Sequence, residues 1–252
     1  MVRGVFLFFG MLIGAFVQDA CANGEYEGVL LTDGTESLLS TFRNQCPGGV
    51  TQMCLYTGTI TAKTCSTSVW KELGAVGNTK LFLVQYMHKT TFDWSTPSSQ
   101  TPEQYVCRGK ENYILESSNG TSAHAVWLHA REVITDGGVD DAKLYQVGEA
   151  QILVVYYWTG GTGGYYEEDY IRIDGQWQQL EHDESWDVAY QEMPKEYGHH
   201  KSPYIDFSQL TWEEHIAKSL DPNCCPSGKI QFKLAIVNNK LHVISHKFIF
   251  NK

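Results

Sequence analysis

The sequence predicts an α+β fold: a largely antiparallel sheet with a few short helices and a cysteine-rich N-terminal lobe. Three observations carry this reading. Ile230, Phe232, Leu234 and Ile236 alternate with Gln231, Lys233 and Ala235, which is the period of a half-buried strand; Asn238-Asn239 then turns the chain, and Leu241 to Phe248 returns antiparallel. Apolar runs at Leu81 to Val84, Tyr113 to Leu115, Ala123 to Leu128 and Ile152 to Trp158 have the length of strands. Two helix-start signals lie between strands. Asp183 caps a segment running to Met193, where Pro194 follows, and Thr211-Trp212-Glu213-Glu214 has the spacing of a capping box.

The chain opens on Arg3, an apolar run from Val5 to Val17, and the small-residue pattern Ala20-x-Ala22. That order is a secretory signal peptide, residues 1–22, with cleavage after Ala22. Gln18-Asp19 ends the run short of the roughly 20 apolar residues that a membrane-spanning helix needs. No later stretch is long and apolar enough to span a bilayer, so the mature chain is expected to carry no transmembrane segment. A cysteine-rich lobe, 23–76, follows. In it Asp33-Gly34-Thr35-Glu36 precedes Leu38, Leu39 and Phe42 at helical spacing, and Ser68 to Leu73 reads as a second short helix stopped by Gly74. Residues 77–252 form the antiparallel α+β domain.

A formal charge of −10 would repel a phosphate backbone, so nucleic acid is not an expected partner. The charged fraction of 19% is too low for a disordered chain, and the hydrophobic fraction of 42% is enough for a real core. Cys46, Cys54, Cys65, Cys107, Cys224 and Cys225 remain after cleavage. An even set in an exported chain reads as disulfides, with the pairing open. Cys224 and Cys225 either bond each other or tether two distant cysteines. Asn119-Gly120-Thr121 is a glycosylation acceptor in a eukaryotic host.

Candidate catalytic motifs fail on their surroundings. Gly160-Gly161-Thr162-Gly163-Gly164 follows an apolar strand, but its continuation, Tyr165-Tyr166-Glu167-Glu168-Asp169, is acidic and β-prone. A phosphate loop leads into a helix N-terminus, so this is a hairpin turn. His199-His200 read as a surface loop, and His242 and His246 as residues sharing a sheet face by period two. No metal site and no cofactor is expected. Glu167, Glu168, Asp183 and Glu184 are carboxylates able to supply acid–base chemistry if the fold brings them together. Tyr156, Trp158, Tyr165 and Tyr166 flank the glycine turn, and such rings stack on sugars or partner proteins when exposed.

Asp221-Pro222-Asn223-Cys224-Cys225-Pro226-Ser227-Gly228 precedes the clearest strand. Earlier lie the Thr-Gly-Gly-Thr-Gly turn, Tyr-rich strands, Asp174-Gly175-Gln176-Trp177, Tyr204-Ile205-Asp206-Phe207 and Leu210-Thr211. Over 145–248 this ordered set resembles a group of exported proteins and lipoproteins, mainly bacterial and uncharacterised. They carry a Gly-Gly-Ser/Thr-Gly turn and a late Asn-Cys-Cys-Pro-Ser/Thr element. The resemblance implies export and a shared fold, and carries no activity. The lipobox of the lipoprotein relatives is missing here.

The functional expectation is a secreted, disulfide-bonded, non-catalytic protein that binds an extracellular protein, a glycan or matrix; in a Gram-negative bacterium it would be periplasmic. The alternative is a secreted hydrolase using carboxylates or a His-centred metal site.

Overall fold

The computed structural model describes residues 28–32, 34–46, 59–93, 104–132, 138–158, 165–199, 204–221 and 225–251. The signal-peptide reading, Cys54, the glycine turn, His200 and Cys224 lie outside them. The chain divides into two compact units, 1–138 and 139–252.

The described residues form a β protein, which corrects the α+β expectation. Fifteen strands, almost all antiparallel, accompany two short helices, α1 (Leu39–Asn44) and α2 (Ser185–Gln191). Two expected helices are strands. Ser68 to Leu73 lies inside the long β3 (Thr59–Val76), which pairs with β4 (Thr79–Asp93) from end to end, and Trp70 packs on Phe82 with ring centroids 5.6 Å apart. Thr211-Trp212-Glu213-Glu214 opens β13 (Thr211–Lys218), paired on both sides, and Glu214 is turned inward rather than back to a cap. Cross-strand pairing outweighs a local capping signal in both places.

In the first unit the sheet runs β1 (Val29–Leu30), β6 (Ser122–Glu132), β5 (Gln104–Ser117), β4, β3, with β2 (Ser37–Leu38) also on β6. Phe82, Val84, Tyr86, Tyr113 and Leu115 form a core on one face, against which Leu39 and Phe42 of α1 pack. The Tyr86 hydroxyl donates to the Phe42 carbonyl, and Thr67 Oγ1 to the Arg43 carbonyl at 2.9 Å. The Cys46–Cys65 disulfide fastens the end of α1 to β3. A Cβ on Gly28 would collide with the Trp127 indole, so only glycine lets the chain cross that ring.

The second unit has two sheets around one core. One runs β10 (Gln176–Gln179), β9 (Tyr165–Ile173), β8 (Ala150–Trp158), β7 (Gly138–Val147). The other runs β11 (Glu181–His182), β15 (Lys240–Phe250), β14 (Gly228–Val237), β13, β12 (Tyr197–His199). Ile152, Val154 and Ile171 from the first meet Ile216, Ile230, Phe232, Leu234 and Val243 from the second, with Trp186 and Ala189 of α2. The alternation read at 230–236 is observed, and Asn238 and Asn239 both take positive φ, 50° and 62°, as a tight hairpin demands.

Candidate functional site

A cleft of about 570 Å³ opens on the five-stranded sheet of the second unit, lined along β13, β14 and β15 and bordered by Tyr204 and Asp206. Three cross-strand rows build it. Thr211 faces Lys233 and Ser245; Trp212 faces Phe232 and His246; Glu213 faces Gln231 and Lys247. Alternation sends the first and third rows to one face and the middle row to the other. Phe232 lies in the core, with Trp212 stacked on it at 5.3 Å. The polar rows, Thr211, Gln231, Lys233, Ser245 and Lys247, are exposed. The apolar row thus anchors the floor while the polar rows meet solvent.

The two acids of the cleft are already engaged. Asp206 Oδ1 accepts the Ser208 and Gln209 amides at 2.9 and 3.2 Å as well as the Ser208 hydroxyl, and these bonds hold its carboxyl below the usual range. Glu213 accepts from Lys229 Nζ at 2.8 Å and Gln231 Nε2 at 3.0 Å, which lowers its pKa likewise.

Three histidines of this unit are fixed by carboxylates. His199 Nδ1 lies 2.6 Å from Glu214 Oε1, with Tyr190 packed edge-on to the imidazole at 4.7 Å. His242 Nδ1 lies 2.6 Å from Asp183 Oδ2, and His246 Nε2 lies 3.0 Å from Glu192 Oε2. The latter two pairs join β15 to the two ends of α2. A bulge skips Ile244 between the Leu234–Val243 and Lys233–Ser245 pairs, so His242 and His246 leave opposite faces of β15 instead of sharing one. Among the described residues no group of three or more His, Cys, Asp or Glu is placed to hold a metal ion.

A second cluster lies on β9. Glu168 accepts from the Tyr157 and Tyr170 hydroxyls at 2.7 and 2.6 Å. Glu167 and Asp169 point to the opposite face, and Glu167 Oε1 accepts the Ile205 amide at 2.7 Å. Burial first, then the neighbouring Asp169 charge, pushes Glu167 up to about 9, against the pull of the Ile205 amide. Burial and the Glu168 charge push Asp169 up to about 7. Glu167 Oε2 and Asp169 Oδ1 are buried with no hydrogen-bond partner among the described residues.

The residues singled out in the sequence are dispersed. Tyr156 is buried, its ring 4.4 Å from Tyr204 and its hydroxyl 2.9 Å from that of Tyr145. Tyr166 stacks on Tyr157 at 4.4 Å, and Trp158 is half-buried; the Tyr165 side chain is not among those described. Glu167 and Glu168 diverge across β9, Asp183 binds Ser185 and His242, and His215 lies 3.9 Å from Glu213. Asn119 is exposed in the turn between β5 and β6, where its Oδ1 accepts the Thr121 and Ser122 amides at 2.8 and 2.9 Å. Cys225 is disulfide-bonded. The cleft itself escaped sequence reading, although the polar alternation Gln231, Lys233 was its signal. Among the described residues no helix is long and apolar enough to cross a membrane.

No family model, no curated protein and no solved structure matches the chain.

Proposed function

We propose that the chain is an exported, disulfide-bonded binding protein that holds a glycan in the cleft on β13–β15. The observation that carries the reading is the cleft's construction. A rigid, antiparallel three-strand floor presents hydroxyls (Thr211, Ser245), an amide (Gln231) and ammonium groups (Lys233, Lys247) along parallel cross-strand rows. A sugar chain offers hydroxyls at a regular spacing, and such a ladder meets it with little reorganisation. The Ala20-x-Ala22 signal and the Cys46–Cys65 bond support an extracytoplasmic setting.

The test is a glycan panel read by calorimetry, with Ser245→Trp as the blocked form. Ser245 is exposed, so an indole there occupies the cleft without disturbing the core. Saturable binding that the substitution abolishes supports the reading. Silence across the panel, or binding indifferent to Ser245→Trp, ends it.

The pair Glu167 and Asp169 favours a second reading, a secreted hydrolase, because raised carboxylates suit acid–base work. Turnover of chromogenic glycosides or esters, lost in Glu167→Gln, would support this reading over the first.

A further inference from the structure

The acids and the bases of the cleft differ in how they are used. Asp206 Oδ1 is engaged by Ser208 and Gln209, and Glu213 Oε2 by Lys229 and Gln231. Lys229 is thereby neutralised. Lys233 and Lys247 have no acidic partner among the described residues, although 29 acids outnumber 19 bases in the chain. Beside the cleft Lys229 meets a carboxylate, whereas Lys233 and Lys247 within it do not. These two lysines are also near each other. Lys233 faces Ser245 and Lys247 faces Gln231, so they are diagonal neighbours on one sheet face, roughly 7–8 Å apart at the backbone. Thr211, Gln231 and Ser245 lie beside them as hydroxyl and amide partners.

We infer that the cleft selects an anionic glycan, a chain carrying carboxylate or sulfate groups, with Lys233 and Lys247 as its cationic contacts. This rests on the reading of the cleft as a glycan site. The hydroxyl and amide groups engage the sugar rings, and the diagonal lysines engage charged groups on the same or successive rings. The engaged acids, fixed to their own partners, stay clear of the ligand's charge. The chain's overall negative field opposes a polyanion at long range, so attraction is confined to contact distance. The complex is therefore weak and only mildly salt-dependent: two contacts give a shallow slope, unlike a basic groove.

Three hexamers of matched length test this by calorimetry on the full mature chain: a galacturonate oligomer, a sulfated glucan oligomer and cellohexaose. Binding of the carboxylated or the sulfated hexamer over cellohexaose is expected, and the comparison of those two arms identifies the anionic group. Lys233→Ala and Lys247→Ala should each weaken binding two- to fivefold, the scale of an exposed ion pair, and the double substitution about tenfold or more. Both positions are exposed, so the variants retain the fold, which circular dichroism checks. Equal affinity for cellohexaose and the acidic hexamers, lost in Ser245→Trp, would overturn the anionic class and keep the glycan site. Acidic binding unchanged in the double variant would place the contacts elsewhere and overturn the inference. No binding of any hexamer would overturn the site along with it.

Discussion

Glu167 and Asp169 stand two residues apart on the same face of β9, each holding a buried oxygen that no donor among the described residues meets. Burial opposes the ionisation of both, the Asp169 charge adds to that on Glu167, and the Glu168 charge adds to that on Asp169. Their folded-state pKa values lie above the unfolded ones, so the folded chain binds more protons between the ordinary carboxylate range and about pH 9. Stability contributed by protonation is then present at mildly acidic pH and is lost as pH rises through about 7 and 9. Thermal unfolding should give a higher Tm at pH 5 than at pH 9. Glu167→Gln with Asp169→Asn should flatten that difference and raise Tm at pH 9 by at least 2–4 °C, the scale of about 1 kcal/mol in a chain of this size. A Tm that climbs from pH 5 to pH 9, unaltered by the substitutions, would contradict the arrangement.

The Cys46–Cys65 disulfide closes a loop with a sequence separation of 19. Its loss frees that loop in the unfolded chain, a cost of about 3 kcal/mol. Cys46→Ser with Cys65→Ser should lower the denaturant midpoint of the first unit's transition while leaving the second unit's unchanged. A single shift common to both, followed by tryptophan fluorescence, would show that the bond acts more widely.

His199 and Tyr190 both meet the buried Glu214 carboxyl, whose Oε2 has no hydrogen-bond partner among the described residues. Removing the imidazole takes a hydrogen-bond partner from a buried carboxyl. His199→Ala should destabilise the chain by about 1–3 kcal/mol, and the double variant with Glu214→Gln should be less unstable than the sum of the two single ones. A double variant as unstable as the sum of the two single ones would mean that the pair does not interact.

Asn119 sits exposed at a hairpin turn, on the outside of the sheet's end, with Gly120 at a φ of 71°. The turn presents the sequon free of covering structure. Expression through a eukaryotic secretory route should add an endoglycosidase-sensitive mass, removed by Asn119→Gln. Unmodified secreted protein would count against the site.

The hairpins were legible because a period of two and a turn dipeptide are local facts: Ile230 to Ile236 and the apolar run at Ile152 lie in strands, and Asn238-Asn239 makes the turn between β14 and β15. The helices at Ser68 and Thr211 were misread for a complementary reason. Capping boxes and short apolar spacings are also local, but β3 and β13 are decided by long pairing partners that no window of six residues contains. Trp212, Glu214 and Ile216 do alternate, and that period was the better guide. The cleft was harder still. Its three rows unite residues up to 36 positions apart, and the Ile244 bulge reverses the face of every side chain after it, His246 included.

The strand order carries a kinetic consequence. Most ladders join strands adjacent in sequence, so they can zip from their own turns with small loop-closure cost. Three do not: β1 and β2 must find β6 about 90 residues away, and β11 must lie parallel beside β15 some 59 residues on. These short additions depend on a sheet that already exists. Residues 29–30, 37–38 and 181–182 should therefore gain amide protection last during refolding and lose it first in native-state exchange, giving each unit a late-closing seam around an early core.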